Sequence, residues 1–100
     1  MLTEKKITER LREKYSYLVS EYKIKRIGLF GSYAKGKQTE ESDIDIVAEF
    51  DKPIGLKFID FAEYLERILE KKIDVLTPEG IKGITAKRIS EDIEKSIIYV

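Results

Sequence analysis

The chain has 100 residues with 19 Lys+Arg against 19 Asp+Glu, so its net charge is zero. It has no cysteine and no histidine, which excludes disulfides, thiolate-held zinc and imidazole chemistry. Any metal site must then be built from oxygen ligands and favours a hard ion such as Mg²⁺. The charge balance carries no basic footprint for duplex nucleic acid. No apolar run reaches the ~20 residues a membrane span needs, and the charged N-terminus lacks a signal-peptide core. The sequence reads as one cytoplasmic domain, residues 1–100.

Residues Thr3–Glu21 form a predicted helix. Thr3 is suited to cap it, and Ile7, Leu11, Tyr15, Leu18 and Tyr22 recur at helical steps. Arg26–Phe30 is a short predicted strand that ends in a glycine turn. Ser42–Phe50 alternates: Ile44, Ile46, Ala48 and Phe50 share one face, and Asp43, Asp45, Val47 and Glu49 the other. A turn at Asp51–Gly55 leads to a helix over Leu56–Glu70, with Phe58, Phe61, Ala62, Leu65, Ile68 and Leu69 inward. Lys72–Thr77 is a third strand, with Ile73 and Val75 opposite Lys72, Asp74 and Leu76. Pro78-Glu79-Gly80 breaks the chain, Thr85–Lys95 is a third helix, and Ile97–Val100 is an apolar end open to a partner edge. The class is α/β (α+β), a sheet with helices packed mainly on one face.

Asp43 and Asp45 lie two apart on a strand, so their side chains leave the same face with Cα atoms about 6.5–7 Å apart. That spacing lets two carboxylates converge on the ~3.5–4 Å metal pair of phosphoryl-transfer enzymes. Asp is disfavoured in strands, and like charges on one face repel unless a cation offsets them. On the third strand Asp74 projects opposite Ile73 and Val75. Beside the other two it would complete a carboxylate set and accept a proton from an attacking hydroxyl.

Gly31-Ser32 directly follows the first strand. Glycine lets the backbone turn sharply, and successive N–H groups at such a turn can hold a phosphate. Alone the pair is ordinary turn chemistry; its weight comes from the aspartates that follow. Gly31 to Lys37 also imitates a P-loop, but Gln38 stands where Ser or Thr is required. The next strand also begins too soon for the ~10–12-residue crossover. Lys35 is a cation placed to meet a triphosphate, Lys37 reads as a solvated loop charge, and Tyr33 is assigned no role.

Gly31-Ser32, ten residues, then Asp43-Ile44-Asp45 resembles the minimal nucleotidyltransferases of the DNA polymerase β superfamily. The resemblance extends to Leu29-Phe30, to Ser42, and to Ile73–Gly80 around the third carboxylate, and covers nearly the whole chain. It implies the nucleotidyltransferase fold with a small mixed sheet. It also implies two Mg²⁺ ions held by Asp43, Asp45 and Asp74, phosphates held by Gly31, Ser32 and Lys35, and ATP as the substrate. Such proteins are commonly the antitoxin of a toxin–antitoxin pair, encoded beside a HEPN-domain toxin, and members transfer AMP to a tyrosine of that toxin. Lys35 departs from the usual Arg and loses its forked phosphate contact. Two other activities fit the resemblance: neutralising the partner by binding alone, and transfer to a small molecule. Oligomeric state is left open.

Overall fold

The computed structural model describes residues 2–84 and 87–100, without the side chains of 84 and 87–90. The expected first helix is two. α1 (Glu4–Glu13) starts where the Thr3 hydroxyl accepts the Lys6 N–H at 3.3 Å, and it buries Ile7, Thr8 and Leu11. At Lys14 (φ −99°, ψ 2°) the chain leaves helical geometry and restarts as α2 (Tyr15–Tyr22), which buries Leu18 and Tyr22. No glycine or proline marks this break. The kink seats Leu18 and Tyr22 in the same core as Ile7 and Leu11, an outcome of packing rather than propensity.

Four strands make one mixed sheet in the order β3-β2-β1-β4. β1 (Ile24–Phe30) runs antiparallel to β2 (Ile44–Phe50), and β2 runs parallel to β3 (Ile73–Leu76). A parallel pair needs a crossover, supplied by α4 (Lys57–Leu69), whose Phe61, Leu65 and Leu69 pack inward as the periodicity predicts. Ile44, Ile46 and Ala48 of β2, Ile27 and Leu29 of β1 and Ile73 of β3 face α1, α2 and α4 in the main core.

Tyr22 is 2% exposed, and its hydroxyl donates to the Asp60 carboxylate on α4 at 2.8 Å, tying α2 to the crossover helix. Removing only that hydroxyl with Tyr22→Phe is expected to cost about 1 kcal/mol. A thermal melt would show this as a fall of roughly 4–8 °C for a domain of this size.

Pro78-Glu79-Gly80 does not interrupt the chain. It opens α5 (Pro78–Ile84): the Thr77 hydroxyl accepts the Gly80 N–H at 3.1 Å and the Thr77 carbonyl accepts the Ile81 N–H at 3.0 Å. Proline in the first turn has no N–H to strand, so Thr-Pro-Glu is a helix start. α6 (Lys87–Ser96) follows; Thr85, the expected first residue of that helix, lies outside the described residues. α5 and α6 cover part of the opposite sheet face, where Phe30, Val47 and Ile81 form a small second cluster. Val47 is therefore buried, although alternation assigns it to the acidic side of β2.

The apolar end finds its edge within this chain. β4 (Ile98–Tyr99) pairs antiparallel with β1, Gly28 opposite Tyr99 and Leu29 opposite Ile98. Gly28 is required there, since a Cβ would meet Ile97 Cγ2 at 2.8 Å and the Tyr99 ring at 3.0 Å. Among the described residues no helix is long and apolar enough to cross a membrane.

Candidate active site

β1 ends at Phe30, whose ladder partner is Asp45. The next residue, Gly31, adopts φ +74° and starts α3, a single turn over Gly31–Ala34. This turn passes directly against Asp45. A Cβ on Gly31 would run into the Asp45 Oδ2 atom and stand 2.9 Å from its Cγ. Glycine is needed on two counts, the left-handed backbone and the missing side chain. Phe30 caps α3 without a side-chain hydrogen bond, and among the described residues no side chain accepts from the first-turn N–H groups. Ser32 is half-buried in that turn, and Lys35 is exposed at its end.

The loop from α3 to β2 is closed by its own hydroxyls. The Thr39 N–H donates to the Ser42 Oγ at 2.9 Å, and the Ser42 N–H to the Thr39 carbonyl at 3.1 Å. Lys71 donates to the Glu40 carbonyl at 2.8 Å, fastening this loop to the chain entering β3. Asp43 follows the closed turn directly. The Thr-x-x-Ser spacing is the sequence signal for this turn, one that hydrophobic periodicity and glycine position do not carry.

Ile44 donates its N–H to the Lys72 carbonyl at 3.1 Å and starts the parallel ladder, which sets Asp45 opposite Asp74. Thus Gly31, in the turn just past β1, and Asp74, on β3, flank Asp45, and Asp43 precedes it on the same face. Burial, then the charges of Asp74 and Asp43, push the Asp45 carboxyl up to about 6 from its ordinary 3.8. Asp74 is exposed, and Asp43 is half-buried. Tyr33, unassigned from sequence, is 1% exposed in the main core. Its hydroxyl is raised by burial and then by the Asp43 charge. Glu49, further along the same face, is held by Arg26 at 2.9 Å and Lys25 at 3.5 Å and takes no part.

Among the described residues no three acidic side chains converge closely enough to form a ready-made metal cluster. The donors nevertheless suit Mg²⁺. All are carboxylate oxygens, and Asp45 bears a repulsion from two like charges that a divalent cation would relieve.

An open helical turn packed against an acidic sheet face is the layout of an enzyme that handles phosphate esters. A family model described as a nucleotidyltransferase domain matches residues 4–100, and the chain belongs to that family, among its minimal nucleotidyltransferases. It is 46% identical, over the full length of both chains, to a Methanocaldococcus jannaschii protein provisionally named a protein adenylyltransferase. It is 35% identical to the protein adenylyltransferase MntA of Thermococcus cleftensis, over 93% of this chain and 95% of that one. A solved structure provisionally named a minimal nucleotidyltransferase superposes with a TM-score of 0.73 at 26% identity, covering 97% of this chain and 95% of that chain. A toxin–antitoxin crystal structure with AMP-PNP superposes at 0.63 and 24% identity, covering 98% of this chain and 72% of that one. The last likeness speaks to the fold alone.

Proposed function

We propose that this nucleotidyltransferase is a Mg²⁺-dependent protein adenylyltransferase that moves AMP from ATP to a tyrosine hydroxyl of a HEPN-domain partner, and so acts as its antitoxin. The observation that carries the reading is Asp45, wedged between Gly31 of the phosphate turn and Asp74 of the neighbouring strand. The names of the full-length relatives support adenylyl transfer to protein. ATP and the HEPN-domain partner are what the resemblance to the minimal nucleotidyltransferases implies; a chain of the same fold was crystallised as a toxin–antitoxin with AMP-PNP.

In this mechanism the first-turn N–H groups of Gly31 and Ser32 and the Ser32 hydroxyl hold the triphosphate, with Lys35 at the rim. Asp43, Asp45 and Asp74 would hold Mg²⁺, which supplies neutralising charge for the triphosphate and its leaving group. Asp74, the most exposed of the three, takes the proton from the acceptor hydroxyl. The acceptor oxygen bonds to the α-phosphorus as the bond to the bridging oxygen breaks, and pyrophosphate leaves.

Incubation with ATP, Mg²⁺ and the folded partner, followed by intact-mass measurement, should show AMP added to the partner. A partner of unchanged mass would overturn the reading. An Asp43→Ala, Asp45→Ala double variant should leave the partner unmodified and active. If that variant still neutralises the partner fully, binding rather than catalysis is the antitoxin activity.

A further inference from the structure

The sheet carries one more charge on the acidic face. Lys72 immediately precedes β3, and its carbonyl accepts the first ladder bond from Ile44. Strand alternation puts residues 72, 74 and 76 on one side. Leu76 packs with the smaller cluster, while Ile73 and Val75 pack with the main core, so Lys72 shares the face of Asp74. Extending the register by one residue sets Lys72 beside Asp43. Even so, among the described residues its ammonium makes no ion pair and no hydrogen bond, whereas Lys71, Lys25 and Lys57 are each engaged. Lys72 is also exposed.

The two flanks of β2 differ. Gly31, Ser32 and Lys35 lie on the β1 side; Asp74 and Lys72 lie on the β3 side. Phosphoryl transfer keeps the attacking and leaving oxygens roughly in line. With the triphosphate held on the α3 flank, the acceptor hydroxyl enters over β3. Among the described residues, that entrance presents the carboxylates of Asp43 and Asp74 with the Lys72 ammonium beside them, so an acidic approach is repelled by the first two and drawn to Lys72. An attractive point set among repulsive ones fixes register as well as affinity.

We propose that Lys72 is the acceptor-binding cation of this enzyme, receiving an acidic side chain that lies beside the acceptor hydroxyl on the partner protein. This inference rests on the adenylyl-transfer reading. Lys72 forms no covalent bond and moves no proton; it positions the incoming chain.

The test is steady-state transfer by wild type, Lys72→Met and Lys72→Arg, with ATP and the HEPN-domain partner varied in turn. Lys72→Met should raise the KM for the partner about five- to tenfold, leave the KM for ATP within about twofold, and melt like wild type. Lys72→Arg should restore the partner KM, and added salt should shrink the difference between wild type and Lys72→Met. A raised KM for ATP instead would make Lys72 a triphosphate ligand and overturn the proposal. No change in either KM would make it a solvated charge, with the same consequence. Wild-type protein that transfers no AMP overturns the adenylyl-transfer reading and this inference together. Wild-type transfer with an unaltered Lys72→Met overturns this inference alone.

Discussion

Gly31→Ala is expected to lower nucleotidyl transfer by about a hundredfold or more while costing roughly 1–2 kcal/mol of stability. The stability loss comes from the backbone: at φ +74° an L side chain crowds its own carbonyl, at about that energy. The activity loss has a separate cause. The new methyl would occupy the place of the Asp45 carboxylate, with Cγ only 2.9 Å away. Either the turn lifts off the strand or Asp45 swings aside, and a displacement of about 1 Å in a positioned group is enough for a hundredfold loss. Transfer rates and thermal melts on the same preparation separate the two effects. A variant that melts several degrees lower yet transfers normally would show that the contact between Gly31 and Asp45 does not matter for the reaction.

Asp45→Asn should act in opposite directions on activity and stability. Transfer should fall on the order of a thousandfold, as for loss of a central electrostatic group. The folded protein without Mg²⁺, however, should become more stable. Burial and the charges of Asp74 and Asp43 raise the native carboxyl to about 6 from 3.8, so the native state holds this proton more tightly than the unfolded chain does. Below about pH 4 both states are protonated and there is no penalty. Between about pH 4 and 6 the unfolded chain loses its proton first, and native stability declines as pH rises. Above about pH 6 the penalty is complete. Two pK units correspond to about 3 kcal/mol at most, and screening by water at this half-exposed site brings the figure to about 1 kcal/mol. In chelator at pH 7.5, Asp45→Asn should therefore melt roughly 4–8 °C above wild type, with the advantage gone near pH 4. Added Mg²⁺ should raise the melting temperature of wild type and leave the variant's nearly unchanged. Equal stability of the two proteins across the pH range would contradict the like-charge account of Asp45.

Part of this site was readable in one dimension. Asp43 and Asp45 are separated by a single residue, and strand alternation alone puts them on one face. Gly31-Ser32 follows a β-prone segment directly, so its role as a turn needed no tertiary information. α4 was equally plain, because its inward residues recur over three turns.

Other features depended on contacts that local pattern does not encode. Nothing in residues 11–18 marks Lys14 as a break; the two halves of that helix separate to seat Leu18 and Tyr22 in one core with Ile7 and Leu11. Val47 has the parity of the aspartates but is buried, because α5 and α6 cover that end of the face. Thr77-Pro78-Glu79 has two readings, a chain break or a helix start, and Thr77 hydrogen bonding selects the second. The apolar end became β4 because β1 offered a free edge and Gly28 left room for it.

By itself the sequence determined the chemistry on offer: oxygen ligands only, two carboxylates on one strand face, and a glycine turn beside them. The tertiary structure decided which groups act on each other. Only the parallel pairing of β2 with β3 carries Asp74 across the chain to stand opposite Asp45 and sets Lys72 at the same entrance. Only the packed fold crowds Asp45 against Gly31 and, through burial and then the charges of Asp74 and Asp43, pushes its carboxyl up to about 6. The physical reason is common to both. Side-chain direction follows from the backbone period within one strand, whereas the energy of a charge follows from its neighbours on other strands and from the water they exclude.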